Sequence, residues 1–250
     1  MKKCYLHIGN FKTGSTSFQK FLFQNRKKFE SQKFEVIYDK NIYFKKTINN
    51  LRIFKLFSEK KFNILKKILT KRKDLILSSE YFSSLSFDLE KIKLLQNFFK
   101  KLSYKLIIIY FYRDDNEFLY SLYSEILKHR KRIEVEKIFD FLKFVKEKGY
   151  FQNKKNKIYF LNFKYPVNNK IVIKNWKKVF GKNFNYFKFD KSNNRSILQF
   201  LKLTNLNKKD FDIKDINLNK TRNIKFWHIK RKFYYNYLKS ESKKINFLKL

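Results

Sequence analysis

The stretch HIGNFKTGSTSFQ, residues 7–19, joins a short apolar run to a segment of helical periodicity. It holds two of the four glycines in the chain, Gly9 and Gly14, and the second is followed by three hydroxyl residues. Glycines let backbone N–H groups turn inward, and a helix N-terminus adds positive partial charge. A strand, a glycine-bearing turn and a helix start therefore predict a phosphate-binding loop at residues 9–17.

Beyond this loop, five short and nearly continuous apolar runs alternate with lysine-rich helical stretches. The runs are CYLHIG (4–9), FEVIY (34–38), DLILSS (74–79), KLIIIYFY (105–112) and FNYFKF (184–189). Runs of this kind are typical of strands that are covered on both faces. The alternation predicts an α/β fold, a three-layer P-loop-type domain with a central parallel sheet flanked by helices and with a helical C-terminal portion.

The domain organisation is expected to be simple. We predict one domain over residues 1–250, with a core at about 4–205 and a basic helical portion at about 196–250. Residues 150–172 are polar and contain the only proline, so they are expected to form an irregular insertion. In the following segment Trp176 and Phe180 are expected to pack in the core, with Gly181 at a helix C-terminus.

The loop departs from the Walker pattern of nucleotide kinases. That pattern has a lysine directly after the second glycine, followed by Ser or Thr for magnesium. Ser15 occupies this position, and the loop lysine is Lys12. The strongest apolar run ends in Arg113 before Asp114, which is not a clean magnesium ligand at a strand end. We therefore expect a phosphate site that works without a metal.

At these residues the sequence resembles the bacterial sulfotransferases that use 3'-phosphoadenosine 5'-phosphosulfate (PAPS), whose chains open on a motif like HIG..KTG(S/T)TS.Q. The resemblance implies that Lys12 contacts the 5'-phosphosulfate near its bridging oxygen. It also implies a shell of backbone and hydroxyl donors around the 5'-phosphate, formed by Thr13, Gly14, Ser15, Thr16 and Ser17.

A second motif strengthens the resemblance. The family holds the 3'-phosphate with a strand-terminal arginine and a serine eight residues later, and IIIYFYRDDNEFLYSLY supplies Arg113 and Ser121 at that spacing. A guanidinium binds phosphate oxygens through charge-assisted hydrogen bonds, and a hydroxyl two helical turns on adds a neutral donor. The alternative is that Arg113 pairs with Asp114 or Asp115 and that Ser121 is an ordinary helix residue.

The resemblance covers residues 4 to about 205 and ends there. The glycine-rich RKGxxGxWK element of small-molecule sulfotransferases has no counterpart, and only Asn219, Lys220 and Arg222 are candidates for closing the nucleotide pocket.

The implied reaction is sulfuryl transfer from PAPS to a hydroxyl or amine by in-line displacement, with a carbohydrate or glycan precursor as the expected acceptor. The attacking hydroxyl or amine must lose a proton, so it needs a basic side chain within hydrogen-bond reach. Glu80, in LSSEYF, follows the third strand and is the favoured base, and His7 is its rival. Glu80 could instead cap the next helix or form an ion pair with a loop lysine.

Two other classes of function stay open at this stage. One is a magnesium-dependent nucleotide or metabolite kinase on a degenerate P-loop. The other is a noncatalytic basic protein that binds nucleic acid or an acidic glycan and keeps the loop only as scaffold.

The formal net charge of +39 and pI near 10.1 do not select a partner. Lysines are spread through every segment, and the bias toward Lys, Asn, Ile, Phe and Tyr is typical of A/T-rich coding sequence. We expect no specific nucleic-acid partner, and the positive electrostatic field of the protein favours peripheral contact with anionic membranes.

No signal peptide or membrane span is predicted, and one cysteine excludes an internal disulfide, so a cytoplasmic location is expected. The sequence does not indicate an oligomeric state.

Overall fold

The computed structural model describes residues 1–9, 13–38, 50–115, 117–118, 121, 143, 145, 147–148, 150–152, 164–189 and 194–213. The chain divides into two compact units, residues 1–216 and residues 217–250. The second unit lies wholly outside the described residues, so the predicted single domain with a helical basic end stays a prediction.

The described residues contain a five-stranded, all-parallel sheet. The described strands are β1 (Lys2–His7), β2 (Phe34–Val36), β3 (Asp74–Ser78), β4 (Tyr104–Tyr112), β5 (Tyr150–Gln152), β6 (Lys164–Pro166) and β7 (Phe184–Lys188). The large sheet has the order β2-β3-β1-β4-β7. Its five strands coincide with the five apolar runs, which confirms the predicted parallel sheet.

Helices cover both faces of this sheet and complete a three-layer α/β domain. The helices whose bounds lie within the described residues are α1 (Ser15–Gln24), α2 (Arg26–Ser31), α3 (Leu51–Ser58), α4 (Phe62–Leu69), α5 (Leu89–Lys101), α6 (Asn169–Phe180) and α7 (Arg195–Leu203). Three 3₁₀ helices, Glu80–Phe87, Gly181–Asn183 and Lys208–Asp210, are described as well, and residues 115, 117–118, 121, 143, 145 and 147–148 are also helical. None of the described helices combines the length and the hydropathy that a bilayer crossing requires.

Two buried clusters explain why the strand sequences are almost continuously apolar. On β4, Ile107, Ile109 and Phe111 face one cluster with α1, α2 and α7. The alternate residues Ile108 and Tyr110 face the other, with α3, α4, α5 and α6. Because both faces are covered, neither set of side chains can be polar.

The segment 150–172 was predicted as irregular, and this was wrong in part. β5 and β6 form a two-stranded antiparallel sheet in which Tyr150 is opposite Pro166. Proline is tolerated there because an edge position of a small sheet does not require its missing N–H. The expectations for α6 are confirmed: Trp176 is fully buried, Phe180 is buried, and Gly181 ends the helix with a positive φ of 51°.

Candidate functional site

The predicted site residues follow three neighbouring strands that end at the same edge of the sheet. The loop follows β1, Glu80 begins a 3₁₀ helix shortly after β3, and Arg113 directly follows β4. Strand order reverses at β1, with β3 on one side and β4 on the other. In open α/β sheets, ligands bind outside the carboxyl ends of the strands at such a reversal.

Gly14 ends the loop and starts α1. Its φ is +77°, a left-handed conformation that favours glycine, and no side chain caps the helix. The ladder of α1 begins when the Phe18 N–H donates to the Gly14 carbonyl at 3.0 Å. The amides of the first turn, Ser15 to Ser17, therefore precede the ladder, which is the arrangement that binds anions at helix N-termini.

The hydroxyl residues of the loop differ in exposure. Thr13 and Ser15 are buried, Ser17 is half-buried and Thr16 is exposed. Lys12 lies outside the described residues, so its predicted contact with the phosphosulfate stays a prediction.

Arg113 is joined to the loop through a single aromatic ring. The centre of its guanidinium lies 4.5 Å from the centroid of the Phe189 ring. The same ring packs against Gly14 so closely that a Cβ there would lie 2.1 Å from Phe189 Cε2. The end of β4 and the start of α1 thus meet at one side chain, which follows β7 and is held by a hydrogen bond from the Phe189 N–H to the Tyr112 carbonyl (2.6 Å).

The neighbouring carboxylates do not neutralise Arg113. Asp114 pairs with Lys188 (2.6 Å), and Asp115 accepts from the Asn169 side chain (2.6 Å). Arg113 is 8% exposed, its Nε has no hydrogen-bond partner, and no ion pair of its guanidinium occurs within the described part of the chain. Burial lowers the pKa of the guanidinium, and the charge of Glu117 acts in the opposite direction. The alternative in which Arg113 serves an ion pair with Asp114 or Asp115 is therefore not supported.

Asn169, at the first position of α6, fixes the chain as it leaves β4. Its side-chain N–H donates to the Arg113 carbonyl (2.5 Å), and its oxygen accepts from the Tyr110 hydroxyl (2.6 Å). The backbone of Arg113 is thereby tied to a buried polar network while its side chain remains available to an anion.

Ser121 is helical and half-buried, eight residues beyond Arg113. Among the described contacts none joins the two side chains, so their predicted cooperation at one phosphate stays a prediction.

Glu80 contacts the loop helix from the other side. Its carboxylate accepts a hydrogen bond from Gln19 Nε2 of α1 (2.9 Å). Desolvation raises the pKa of Glu80, and the hydrogen bonds from its own backbone and from Gln19 act in the opposite direction. The alternative role as a cap finds no support, because no side-chain cap bond starts the 3₁₀ helix. The other alternative, an ion pair with the loop lysine Lys12, lies outside the described residues and stays open. A carboxylate with a raised pKa is suited to accept a proton, and the assignment of Glu80 as the base stays a prediction.

His7, the rival base, is the last residue of β1 and directly precedes the loop. Its ring is 1% exposed and lies between Phe18 and Phe111, with centroid separations of 4.8 Å and 5.0 Å. Desolvation lowers the pKa of His7 from 6.5 to about 3. His7 is therefore more enclosed than Glu80, and both assignments of a base stay predictions.

Within the described residues, no group of three or more His, Cys, Asp or Glu side chains is arranged to hold a metal ion.

Sequence reasoning missed three residues that organise the site, namely Phe189, Gln19 and Asn169. The register of β4 and β7, in which Tyr112 is opposite Lys188, places Phe189 beside Arg113. That register could not be read from the sequence, because it depends on which strand neighbours β4.

Comparison with known proteins assigns no relationship. No protein-family model matches the sequence, and no curated protein is significantly similar to it.

Proposed function

We propose that this protein is a sulfotransferase that uses PAPS as donor and transfers the sulfuryl group to a hydroxyl or amine, with a carbohydrate or glycan precursor as acceptor. The observation that carries the proposal is the shared ring of Phe189, which brings the loop glycine Gly14 and the unpaired Arg113 together. Two anion sites on adjacent strands suit one ligand with two separate phosphate groups.

The free-energy cost of burying the Arg113 guanidinium supports an anionic ligand. Burying an unpaired cation is costly, and the usual remedy is a hydrogen-bonded counter-ion. A 3'-phosphate would supply that charge, with Ser121 as a second donor. The 5'-phosphosulfate would then lie at the start of α1, among Thr13, Gly14, Ser15, Thr16 and Ser17.

The chemistry proposed for the reaction is in-line displacement. Charge builds on the bridging oxygen of the leaving nucleotide, and fixed donors at that oxygen lower the barrier. We assign this role to the first turn of α1 together with Lys12. Glu80 would accept the proton of the attacking group, and no metal is assigned a role.

We propose the cytoplasm as the compartment. The one cysteine, Cys4, is buried in the core, so the fold does not depend on an internal disulfide.

Calorimetric titration without magnesium tests the class of nucleotide. Adenosine 3',5'-bisphosphate, the product nucleotide, should bind the full-length protein more tightly than ATP with magnesium. Arg113→Ala should weaken this binding, whereas Arg72→Ala should not, because Arg72 is exposed and precedes β3 at the opposite end of the sheet. Tighter binding of magnesium-ATP would instead favour the kinase, and the absence of nucleotide binding would favour the noncatalytic protein.

A further inference from the structure

His7 carries a buried polar atom that the proposed chemistry leaves unused. Its Nε2 has no hydrogen-bond partner among the described residues, although the residue is 1% exposed. Buried nitrogen atoms are nearly always paired, so an orphaned one in the floor of a binding loop points to a missing partner.

The other ring nitrogen is firmly anchored. Nδ1 lies 2.8 Å from the Ser78 hydroxyl, at the end of β3. Asn50 fixes Ser78 in turn, because its backbone N–H donates to the Ser78 carbonyl (2.9 Å) and its side-chain oxygen accepts from the Ser78 N–H (2.7 Å). With Phe18 and Phe111 against its ring, the imidazole has one orientation.

That orientation directs the free edge of the ring at the loop. A Cβ built on Gly9 would lie 2.3 Å from His7 Nε2, 2.7 Å from Cε1 and 3.0 Å from the Ser15 hydroxyl oxygen. The orphaned nitrogen and the first hydroxyl of α1 therefore both lie close to Gly9, on the side where another residue would carry its Cβ. Only glycine at position 9 permits this approach.

We propose that His7 is a further ligand-binding residue, a neutral imidazole whose Nε2–H donates a hydrogen bond to a phosphate or phosphosulfate anion bound between Gly9 and the start of α1. The inference rests on the phosphate-binding part of the proposed function but not on sulfuryl transfer. If the Ser78 hydroxyl donates to Nδ1, the ring proton must reside on Nε2, and hydrogen bonding at one nitrogen sets the state of the other. His7 would thus extend the anion site from below without adding a charge.

A purely structural imidazole would behave differently. Its proton could reside on Nδ1 and point at the Ser78 oxygen, which would leave a bare Nε2 with nothing to offer an anion. The position of one proton separates the two roles, and it can be measured without any knowledge of the acceptor.

The test is long-range ¹H–¹⁵N NMR of the full-length protein labelled at its three histidines, titrated without magnesium with adenosine 3',5'-bisphosphate or with inorganic pyrophosphate. Loss of a signal in His7→Gln assigns the residue. We expect a protonated Nε2 in the saturated complex, with a shift that follows occupancy. A bare Nε2 in the saturated complex, or an unchanged signal, would overturn the inference.

Two variants give an independent measure. His7→Phe removes the donor and keeps a ring between Phe18 and Phe111, whereas the His7→Gln amide places a donor near Nε2. We expect His7→Phe to weaken pyrophosphate binding about 10- to 100-fold, the range for a hydrogen bond to a charged group, and His7→Gln to retain most of it. Thermal unfolding checks that each variant is folded. Equal losses in two folded variants would contradict the donor role.

The outcomes separate the two proposals. Pyrophosphate that binds and shifts His7, with no preference for the bisphosphate, would remove the PAPS assignment and keep the inference. Tight bisphosphate binding with no response at His7 would do the reverse. If neither anion binds at millimolar concentration, both proposals fail.

Discussion

Two side chains, His7 and Arg113, carry most of the argument because each is buried with a polar atom left unpaired. A buried polar atom that has no hydrogen-bond partner reduces the free energy of unfolding. Both lie at the carboxyl ends of neighbouring strands, where a parallel sheet binds ligands. A ligand that forms hydrogen bonds with these atoms would offset their cost in stability.

For His7 this cost should make the free energy of unfolding depend on pH. Its pKa is lowered from 6.5 to about 3 because burial excludes the charged form. The folded protein therefore binds fewer protons than the unfolded chain between these values, and the free energy of unfolding should fall as the pH drops from 6.5 toward 3. His7→Gln should show a shallower fall in urea unfolding measured across this range.

The other two histidines are present in both proteins, so they do not contribute to the difference. Identical slopes for the two proteins would mean that His7 is not buried as a neutral ring.

The loop and the strand ends are coupled because elements that are distant in sequence share side chains. Phe189 links β7 to Gly14 and Arg113, and Gln19 links α1 to Glu80. Sequence patterns predicted the elements well, because five apolar runs bounded by loops specify five strands. They could not predict these links, since a side-chain contact depends on strand order and register. The loop was predictable for the opposite reason: its glycines and hydroxyls are adjacent in the chain.

Replacement of Gly14 tests the Phe189 link. In Gly14→Ala the new methyl group would overlap the Phe189 ring, in addition to the strain of a positive φ. We expect a loss of about 2–4 kcal/mol in the free energy of unfolding, and weaker bisphosphate binding because the ring must move away from Arg113. Chemical denaturation and calorimetry measure the two effects.

Gly181→Ala is the matched control. Its φ is also positive, at 51°, but a Cβ there meets no atom within 4 Å. Its ψ of −123° lies outside the regions open to L-residues, so Gly181→Ala should itself cost about 1–3 kcal/mol but leave bisphosphate binding unchanged. Unchanged bisphosphate binding in Gly14→Ala as well would show that the ring of Phe189 does not link the loop to Arg113.

Replacement of Gln19 tests the link to the base. Glu80 must be ionised to accept a proton, so kcat/KM should fall as the pH drops through its raised pKa. Gln19→Leu removes a hydrogen bond that lowers this pKa, and the acidic limb of the pH profile of kcat/KM should therefore move to higher pH.

Glu80→Gln should lower the rate about 10²- to 10⁴-fold with donor binding intact.

Gln96→Leu serves as the control, because Gln96 donates to the Val179 carbonyl in a different part of the domain. If Gln19→Leu leaves the acidic limb in place, Glu80 is not the base that controls it.

Taken as a whole, the molecule is a cation of formal charge +39. The described ion pairs lie on the surface, where each contributes little to stability, and the described lysines are exposed or half-buried. Such a field attracts any polyanion without specifying one. Affinity for nucleic acid would therefore say nothing about the site at the carboxyl edge of the sheet.

Salt dependence separates the field from the site. Affinity for duplex DNA should fall about 10³-fold or more between 50 and 200 mM salt, as expected for several phosphate contacts, and without preference for sequence. Affinity for the bisphosphate should fall less than about tenfold, because few charges are involved and they are enclosed. Fluorescence anisotropy and calorimetry give the two slopes. A strong preference for one DNA sequence would contradict this view of the charge.

The central claim is that one nucleotide spans the loop and Arg113, and a four-way titration tests it most directly. Adenosine 3',5'-bisphosphate and adenosine 5'-monophosphate are each titrated into the natural protein and into Arg113→Ala. We predict that the substitution weakens the bisphosphate about 10- to 100-fold and changes the monophosphate less than about twofold, since only the former has a group for Arg113 to bind. Equal weakening of both ligands, or of neither, would contradict the claim.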